Sequence, residues 1–476
     1  MNQQSIKIGK RSFILSLSVL LVLMILATVL AYVLPSGSFS REIVDGNERI
    51  VAGTFQLVEK PKVPIWRFLT APFEVFLSDD AAIVGVILIF LLLIGGSFAI
   101  LLSCGMVARL MDRITQRFHA SRYRLLMLVS LFFMLFGSVF GIFEELIIMV
   151  PFCIALARRL GWDSMTGLGM SLLSAGLGFG AATINPFTVG VAQQLAGQSA
   201  FAAIGLRVLI FVSVYAVLQL FLLRYVKKIE KDPALSTVYK EDQETPVSFD
   251  LTYEPGVDRG LKIFGFGLIL LPVLLVAGFF IPALSAILFP LIALLFVVLS
   301  FGSVLISRVM TFKEAGKAFL GGMGGVAPAI LLILMAMSIK LIMTRSLVMD
   351  YLLYEASLRF EGLSAVGGLL LLYLMVLVMN FFISSGSAKA FLVLPLVLPL
   401  TDFLELHRQV AVQAYLFGDG FSNLLYPTNA ALMIGLGLSV VSYPKWLKWT
   451  LPLQLVLIAL SVGWLLLMHL LGAGLF

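Results

Sequence analysis

From Ser12 to Leu34 the chain runs without a charged residue, and runs of the same kind recur to its end. About 20 apolar residues in a row are what an α-helix needs to cross the hydrocarbon core of a bilayer. Lipid offers no partner for backbone N–H and C=O groups, so only helices and closed barrels can span it. Barrel strands need only about 9–11 residues of alternating pattern, so runs of this length indicate helices. Charged residues make up 12% of the 476 positions and hydrophobic ones 60%, with a mean hydropathy of +1.06. Soluble domains carry roughly 25% charged residues. The sequence therefore predicts an all-α polytopic membrane protein. Its net charge of +7 is not a nucleic-acid signal, because the basic residues gather at the ends of apolar runs, as the positive-inside rule requires. The bilayer is an expected partner, and nucleic acid is not. Cys104 and Cys153 lie inside apolar stretches and read as small buried hydrophobes rather than a disulfide.

Placing the basic residues on the cytoplasmic side of the cytoplasmic membrane gives a course for the chain. Lys7, Lys10 and Arg11 put the N-terminus inside. The first apolar run exceeds a signal-peptide core of about 7–15 residues and is read as a retained helix crossing outward. Residues 35–80, polar and punctuated by Gly and Pro, are expected outside. A helix near 82–108 returns to the strongest topogenic cluster, Arg109, Arg113, Arg117, Arg122 and Arg124. The run 125–157 is basic at both ends and carries Glu144 and Glu145 midway, yet falls short of the about 40 residues that two spans require. A re-entrant hairpin with legs of about 16 residues, each about 24 Å long, and a polar tip satisfies all three observations. An outward helix over about 165–195 follows, interrupted at G-L-G-F-G-A-A-T-I-N-P-F, and a helix near 206–223 completes the first half, 1–223. Residues 224–261 are expected to be a partly disordered cytoplasmic linker. In the second half, 262–476, spans are expected at 263–281, 284–306 and 327–343, with the basic stretch 311–320 lying along the cytoplasmic surface. Residues 345–363 fall outside. A second hairpin over about 364–400, an outside turn at 401–409, a second broken helix over about 410–440 and a final helix at 451–471 leave the C-terminus outside.

Both halves thus follow one order: an apolar leg, a polar tip, a leg with proline (Pro151, Pro395), then a Gly-rich broken helix with proline (Pro186, Pro427). The offsets are 395 − 151 = 244 and 427 − 186 = 241, and the phenylalanines ahead of the hairpins give 360 − 118 = 242. The first hairpin's flanks fall inside and the second's outside, which makes the repeats inverted in topology. Secondary transporters built this way place their sites at the repeat interface.

The tips and breaks carry the chemistry. I-S-S-G-S-A-K from Ile383 supplies the hydroxyls of Ser384, Ser385 and Ser387, close backbone approach at Gly386, and the charge of Lys389. With Asn185, Thr428 and Asn429 these are the candidate solute-binding residues, since helix N-termini and a fixed cation suit a carboxylate. Glu144, Glu145, Asp419 and Asn423 are the candidates for coupling to an ion or proton. Asp419 and Asn423 offer oxygens of the kind that hold Na⁺ or an ammonium group, and two adjacent carboxylates in a dry site favour a proton carrier. No resident cofactor is expected. Plainer alternatives stand beside these: a Gly-rich packing face with a proline kink at 176–187, a first tip that simply reaches water, a helix-cap role for Asp419, and a Lys389 that snorkels along its helix. The histidines, His119, His407 and His469, lie near predicted membrane edges, and neither H-E-x-x-H nor G-x-S-x-G occurs, so no enzyme is indicated. A channel is excluded less strongly than an enzyme.

At E-E 144–145, N-P-F 185–187, S-G-S 385–387 and G-D-G-F-S-N-L-L-Y-P-T 418–428, with P-S-G-S-F-S-R-E after the first helix, the chain resembles the YfcC family. That family is related to the DcuC-type anaerobic C4-dicarboxylate carriers of the ion transporter superfamily. The resemblance implies a homodimeric secondary transporter of the cytoplasmic membrane with a scaffold and a moving, elevator-like transport domain. The solute implied is a small carboxylate-bearing one, a C4-dicarboxylate or an amino acid. The alternative is an arginine/ornithine-type exchanger in which Glu144 or Glu145 and Asp419 hold the cationic side chain. The chain departs from the family pattern S-G-S-G-Q, reading S-G-S-A-K with Ala388 and Lys389, which puts a fixed ammonium where a coupling cation would sit.

Overall fold

The computed structural model describes residues 10–472 apart from 45–46, 62–63, 79–80, 119–120, 200, 246–254, 361 and 405. Six of its helices are long and apolar enough to cross a membrane, among them Ile204–Lys231 and Tyr443–Leu471.

Each half contains the expected pair of motifs. In the first, helix Arg122–Phe140 ends at Gly141, whose left-handed φ of +69° turns the chain. A single 3₁₀ segment, Glu145–Met149, then leads into helix Val150–Arg159. Only glycine fits at 141, because a Cβ there would also collide with the Asn185 side chain. The broken helix runs from Ser164 to Gly180, opens over 181–185, and resumes from Pro186 to Leu195. In the second half, helix Ala365–Asn380 and helix Gly386–Phe403 flank the tip. Helix Arg408–Gly420, with a 3₁₀ extension Phe421–Leu424, opens at 425–429 before Ala430–Gly437.

Small residues let these elements close on one another, as in other membrane interiors. Gly137 sits against Ala175, Gly178 against Met134, and a Cβ on Gly420 would run into the Cα of Gly180, so the two broken helices cross backbone to backbone just before their breaks. The return leg Gly386–Phe403 packs on Pro186–Leu195, while Glu145–Met149 touches Ala430–Gly437. Each tip therefore meets the broken helix of the other half.

Segments expected on one side contact one another. Antiparallel pairs Ser36–Ser38 with Gln56–Val58 and Arg41–Val44 with Asn47–Ile50 form the outer loop. It docks on 346–350 through Ser36 Oγ to Ser346 O (2.7 Å) and the Arg41–Asp350 ion pair (2.8 Å). On the opposite face, Asp258 holds Arg109 (2.7 Å) and Arg113 (3.1 Å), and Lys445 reaches Glu241 (2.6 Å).

Two expectations are corrected. Residues 311–320 do not lie along a surface: helix Phe312–Val326 packs lengthwise on Ala81–Ser103, where Gly322 sits against Gly95 and Ala99, and continues into Pro328–Arg345. The linker is ordered at both ends. Helix Ile204–Lys231 extends past the expected 223, Asp242 accepts from Ser164 N (2.8 Å), Arg158 donates to Thr245 O and Asp242 O, and a new helix starts at Pro255. Residues 246–254 of the linker lie outside the described residues, as does Lys7.

Candidate functional site

The second tip and the second broken helix are joined by an ion pair buried from water. Lys389 Nζ lies 2.7 Å from Asp419 Oδ1, and the two side chains are 0% and 1% exposed. The same ammonium donates to Ile383 O (2.9 Å) and to Asn380 Oδ1. An isolated charge in such surroundings is very costly, so the pairing is what permits both residues. It also disposes of the snorkelling alternative: the lysine stem turns inward because its head finds three oxygen acceptors there.

Asn380, the last residue of the outgoing leg, holds the rest in place. Its Nδ2 sits 2.9 Å from Asp419 O, 2.7 Å from Ser422 Oγ and 2.9 Å from Asn423 Oδ1. Asn429 Nδ2 donates to the same Asn423 oxygen (2.9 Å), while Asn429 Oδ1 caps Ala430–Gly437 by accepting from Leu432 N (3.1 Å). Asn423 Oδ1 thus faces two amide donors and belongs to the frame of the site. Asp419 Oδ1 contacts the ammonium without hydrogen-bond alignment, and Oδ2 has no donor at all.

Gly386 brings the first half into this site. A Cβ on it would lie 2.7 Å from Thr188 Cγ2 and 2.8 Å from Asp419 Oδ2, so both side chains flank one face of the glycine. Its carbonyl accepts from the buried Tyr415 hydroxyl. Ser384 and Ser387 are half-buried beside it, and Ser385 is exposed at the tip. Asn185 Oδ1 caps Phe187 N (2.9 Å), mirroring Asn429, and its Nδ2 has no partner. The buried hydroxyls of Thr188 and Thr428 also lack partners. One acceptor, one donor and two hydroxyls are left open around the tip and the two breaks. Buried polar atoms are normally satisfied, and an unfilled set such as this one is what a bound solute would complete.

Glu144 and Glu145 stand apart from this group, on the first tip. Glu144 is exposed and Glu145 half-buried, and neither meets a basic side chain among the described residues. Beyond the first tip, buried Arg207 donates to Thr183 O (3.1 Å), in the first break, and to Ala202 O (2.6 Å), beside the reciprocal amide pair of Gln193 and Gln409.

Asn380, Tyr415, Thr188 and Arg207 were not singled out from sequence. Asn380 and Arg207 had a signal, being polar side chains within or against apolar runs that flank a motif. Thr188 lies three residues beyond Asn185 and Tyr415 four before Asp419, positions one helical turn away from residues already chosen.

The DcuC family model, C4-dicarboxylate anaerobic carrier, matches residues 13–470. Escherichia coli (strain K12) YfcC, named as a proposed basic amino acid antiporter, is 30% identical over 394 residues, covering 79% of this chain and 76% of its own length. An uncharacterized protein of Haemophilus influenzae Rd is 23% identical over 77% of this chain and 72% of that protein. Among solved structures, the Alcanivorax borkumensis YdaH transporter aligns over 98% of this chain and 99% of its own with a TM-score of 0.43 at 16% identity. Neisseria gonorrhoeae MtrF aligns over 95% and 94% with a TM-score of 0.41 at 15% identity. The chain belongs to the DcuC family, with YfcC among its relatives, and is a multi-pass membrane transporter rather than an enzyme.

Proposed function

We propose that the chain is a secondary active transporter moving a small carboxylate-bearing solute by elevator-like alternating access, and that this solute is an amino acid. The observation that carries the reading is Asp419 Oδ2, buried beside Gly386 without a donor. Lys389 cancels the charge of Asp419 but leaves that oxygen to receive an ammonium group. Asn185 Nδ2, the Thr188 hydroxyl and the N-terminus of helix Gly386–Phe403 are donors suited to a carboxylate. A zwitterion uses both sets, whereas a C4-dicarboxylate leaves the Asp419 oxygen facing a second anion.

Paired offsets support inverted repeats. Ser138 and Asn380 (380 − 138 = 242) each tie an outgoing leg to the broken helix of its own half, Ser138 through Ala181 O (2.8 Å). Gly180 and Gly420 (420 − 180 = 240) form the crossing, and Asn185 and Asn429 (429 − 185 = 244) cap the resumed helices.

Basic amino-acid exchange is the second reading, favoured by the two glutamates without a basic partner on the first tip and by the name of the Escherichia coli relative. Counterflow into liposomes separates the cases. Amino acids preloaded inside are expected to accelerate uptake of labelled amino acid, arginine and ornithine included, with no requirement for a Na⁺ gradient because the Lys389 ammonium already neutralises Asp419. Counterflow of succinate or fumarate with no response to amino acids would overturn the reading, and uptake without trans-stimulation would indicate a pore.

A further inference from the structure

Where helix Lys10–Val33 ends, a cleft opens between that helix, helix Arg67–Glu74 and the end of helix Pro328–Arg345. Its free volume is about 60 Å³, several times the roughly 10–15 Å³ that one water needs. The walls divide by chemistry. Ala31, Phe68, Ala71 and Leu341 are apolar, and Lys60, Arg67 and Arg345 are basic. Glu74 is the acidic member, and it orients the arginines: Arg67 Nε lies 3.3 Å from it, Arg345 pairs with its other oxygen, and Thr70 donates to it at 2.6 Å. Lys60 Nζ donates to Tyr32 O (2.6 Å) at the helix end. Three cations against one carboxylate leave the cleft with a surplus of two positive charges.

The segment beside the cleft is built to lie in a membrane boundary. Trp66, Phe73 and Leu77 are 60%, 69% and 82% exposed, and Ile65 and Leu69 are exposed with them. Water disfavours such a cluster. At the level where a spanning helix emerges, tryptophan and phenylalanine on an amphipathic helix enter the headgroup–acyl boundary instead. A basic recess joined to an apolar wall and to this helix has the two-part chemistry of one occupant.

We propose that this cleft binds the headgroup of an anionic phospholipid, with the phosphate against Lys60, Arg67 and Arg345 and an acyl chain along Phe68 and Leu341. The charge surplus selects an anionic lipid over a zwitterionic one, and the apolar wall selects a lipid over a free phosphate. The site is separate from the hairpin tips and does not depend on which solute is carried.

The full-length protein, stripped of lipid in detergent, is titrated with short-chain phosphatidylglycerol, short-chain phosphatidylcholine or soluble glycerol phosphate. Thermal unfolding and native mass spectrometry are the readouts. Phosphatidylglycerol is expected to raise the unfolding temperature and remain bound, and the other two to do neither. The double variant Lys60→Gln/Arg67→Gln leaves the Arg345–Glu74 pair in place. It is expected to bind phosphatidylglycerol roughly thirtyfold more weakly, at the usual contribution of one basic residue near an anionic lipid surface. Lys60→Gln alone, in a half-buried loop position, is expected to weaken binding by a smaller factor and guards against loss of folding in the double variant. Equal responses to the two lipids, an equal response to glycerol phosphate, or unchanged binding by both variants would overturn the proposal. So would a monomer–dimer shift in the double variant with lipid retention unaltered, since the patch would then serve a second copy of the chain.

Discussion

Replacing Lys389 with methionine keeps the length of the side chain and removes its ammonium. Asp419 Oδ1 then loses the cation 2.7 Å away, and Ile383 O and Asn380 Oδ1 lose the donor they share. Breaking a buried pair by removing one partner costs about 3–5 kcal/mol, because a charge is left uncompensated. Asp419→Asn in the same background removes that charge, so the double variant is expected to lie only about 1–3 kcal/mol below wild type, the cost of the remaining unmade hydrogen bonds. The coupling between the two positions is therefore about 2–4 kcal/mol, well above the roughly 0.5 kcal/mol within which independent sites add. Unfolding in mixed detergent micelles at pH 7, followed by tryptophan fluorescence, gives the four corners of the cycle. Lys389→Gln extends the argument. With Asn380 Oδ1, Ile383 O and both Asp419 oxygens relieved of the ammonium, that variant is expected to be stabilised by Na⁺ while wild type is indifferent. Additive single effects, or a Na⁺ response shared by wild type, would refute the reasoning.

Gly386→Ala would press a methyl against Thr188 Cγ2 and Asp419 Oδ2, at 2.7 and 2.8 Å. It is expected to cost about 1–3 kcal/mol and to abolish counterflow, whereas normal counterflow would remove Gly386 from the site. Cysteines introduced beside Glu144 and at Ser385 should react with a membrane-impermeant thiol reagent from opposite sides, and labelling of both from one side in every condition would contradict inverted repeats. Asp258 is held below its usual carboxylate range by the hydrogen bond from Arg109, with Arg113 adding to the effect despite the opposing cost of burial. A folded-state value below the unfolded one means the stabilisation is present above about pH 3.8 and is lost as pH falls below it. Asp258→Asn should therefore flatten the acid limb of the stability profile measured by thermal unfolding, and an unchanged limb would show the clamp to be inert.

The hairpins and breaks were legible because lipid makes polar residues expensive. Glu144 and Glu145, the serines at 384–387 and the Asn–Pro and Pro–Thr–Asn steps stand out from apolar runs for that reason, and they mark the tips and caps the fold contains. The partner of Lys389 was not legible. Asp419 is 30 positions away, and their contact depends on how the return leg crosses Arg408–Gly420, which no periodicity encodes. Asn380 was passed over because one polar residue at the end of an apolar leg is ordinary, and its importance appears only when Asp419, Ser422 and Asn423 converge on it. Residues 311–320 misled for the opposite reason. Lys313 and Lys317 suggested a surface, yet Ala315 on the intervening face is buried and Gly322 admits the backbone of Gly95.

The bonds within the tips and broken helices differ in kind from those at their margin, and the difference bears on movement. Ser138 with Ala181, Asn380 with Asp419 and Ser422, Lys389 with Asp419, and Tyr415 with Gly386 are polar ties made out of water. Breaking any one leaves an unmet group in a dry interior, at about 1–3 kcal/mol for neutral partners and more for the charged pair. The contacts of the same unit with the flanking helices include many apolar ones. Phe152 of the first hairpin meets Phe98, Phe264 and Phe296 edge to ring, and Gly437 lies against Ala329. Apolar surfaces exchange one set of dispersion contacts for another with little directional penalty, whereas a buried hydrogen bond has no substitute a few ångströms along. A displacement of the hairpins and broken helices as one body therefore costs less at such margins than a rearrangement inside it. Ion pairs such as Arg159–Asp112 and Arg158–Asp242 are the polar exceptions at the margin. They lie on the basic face, where partly exposed groups can exchange each other for water.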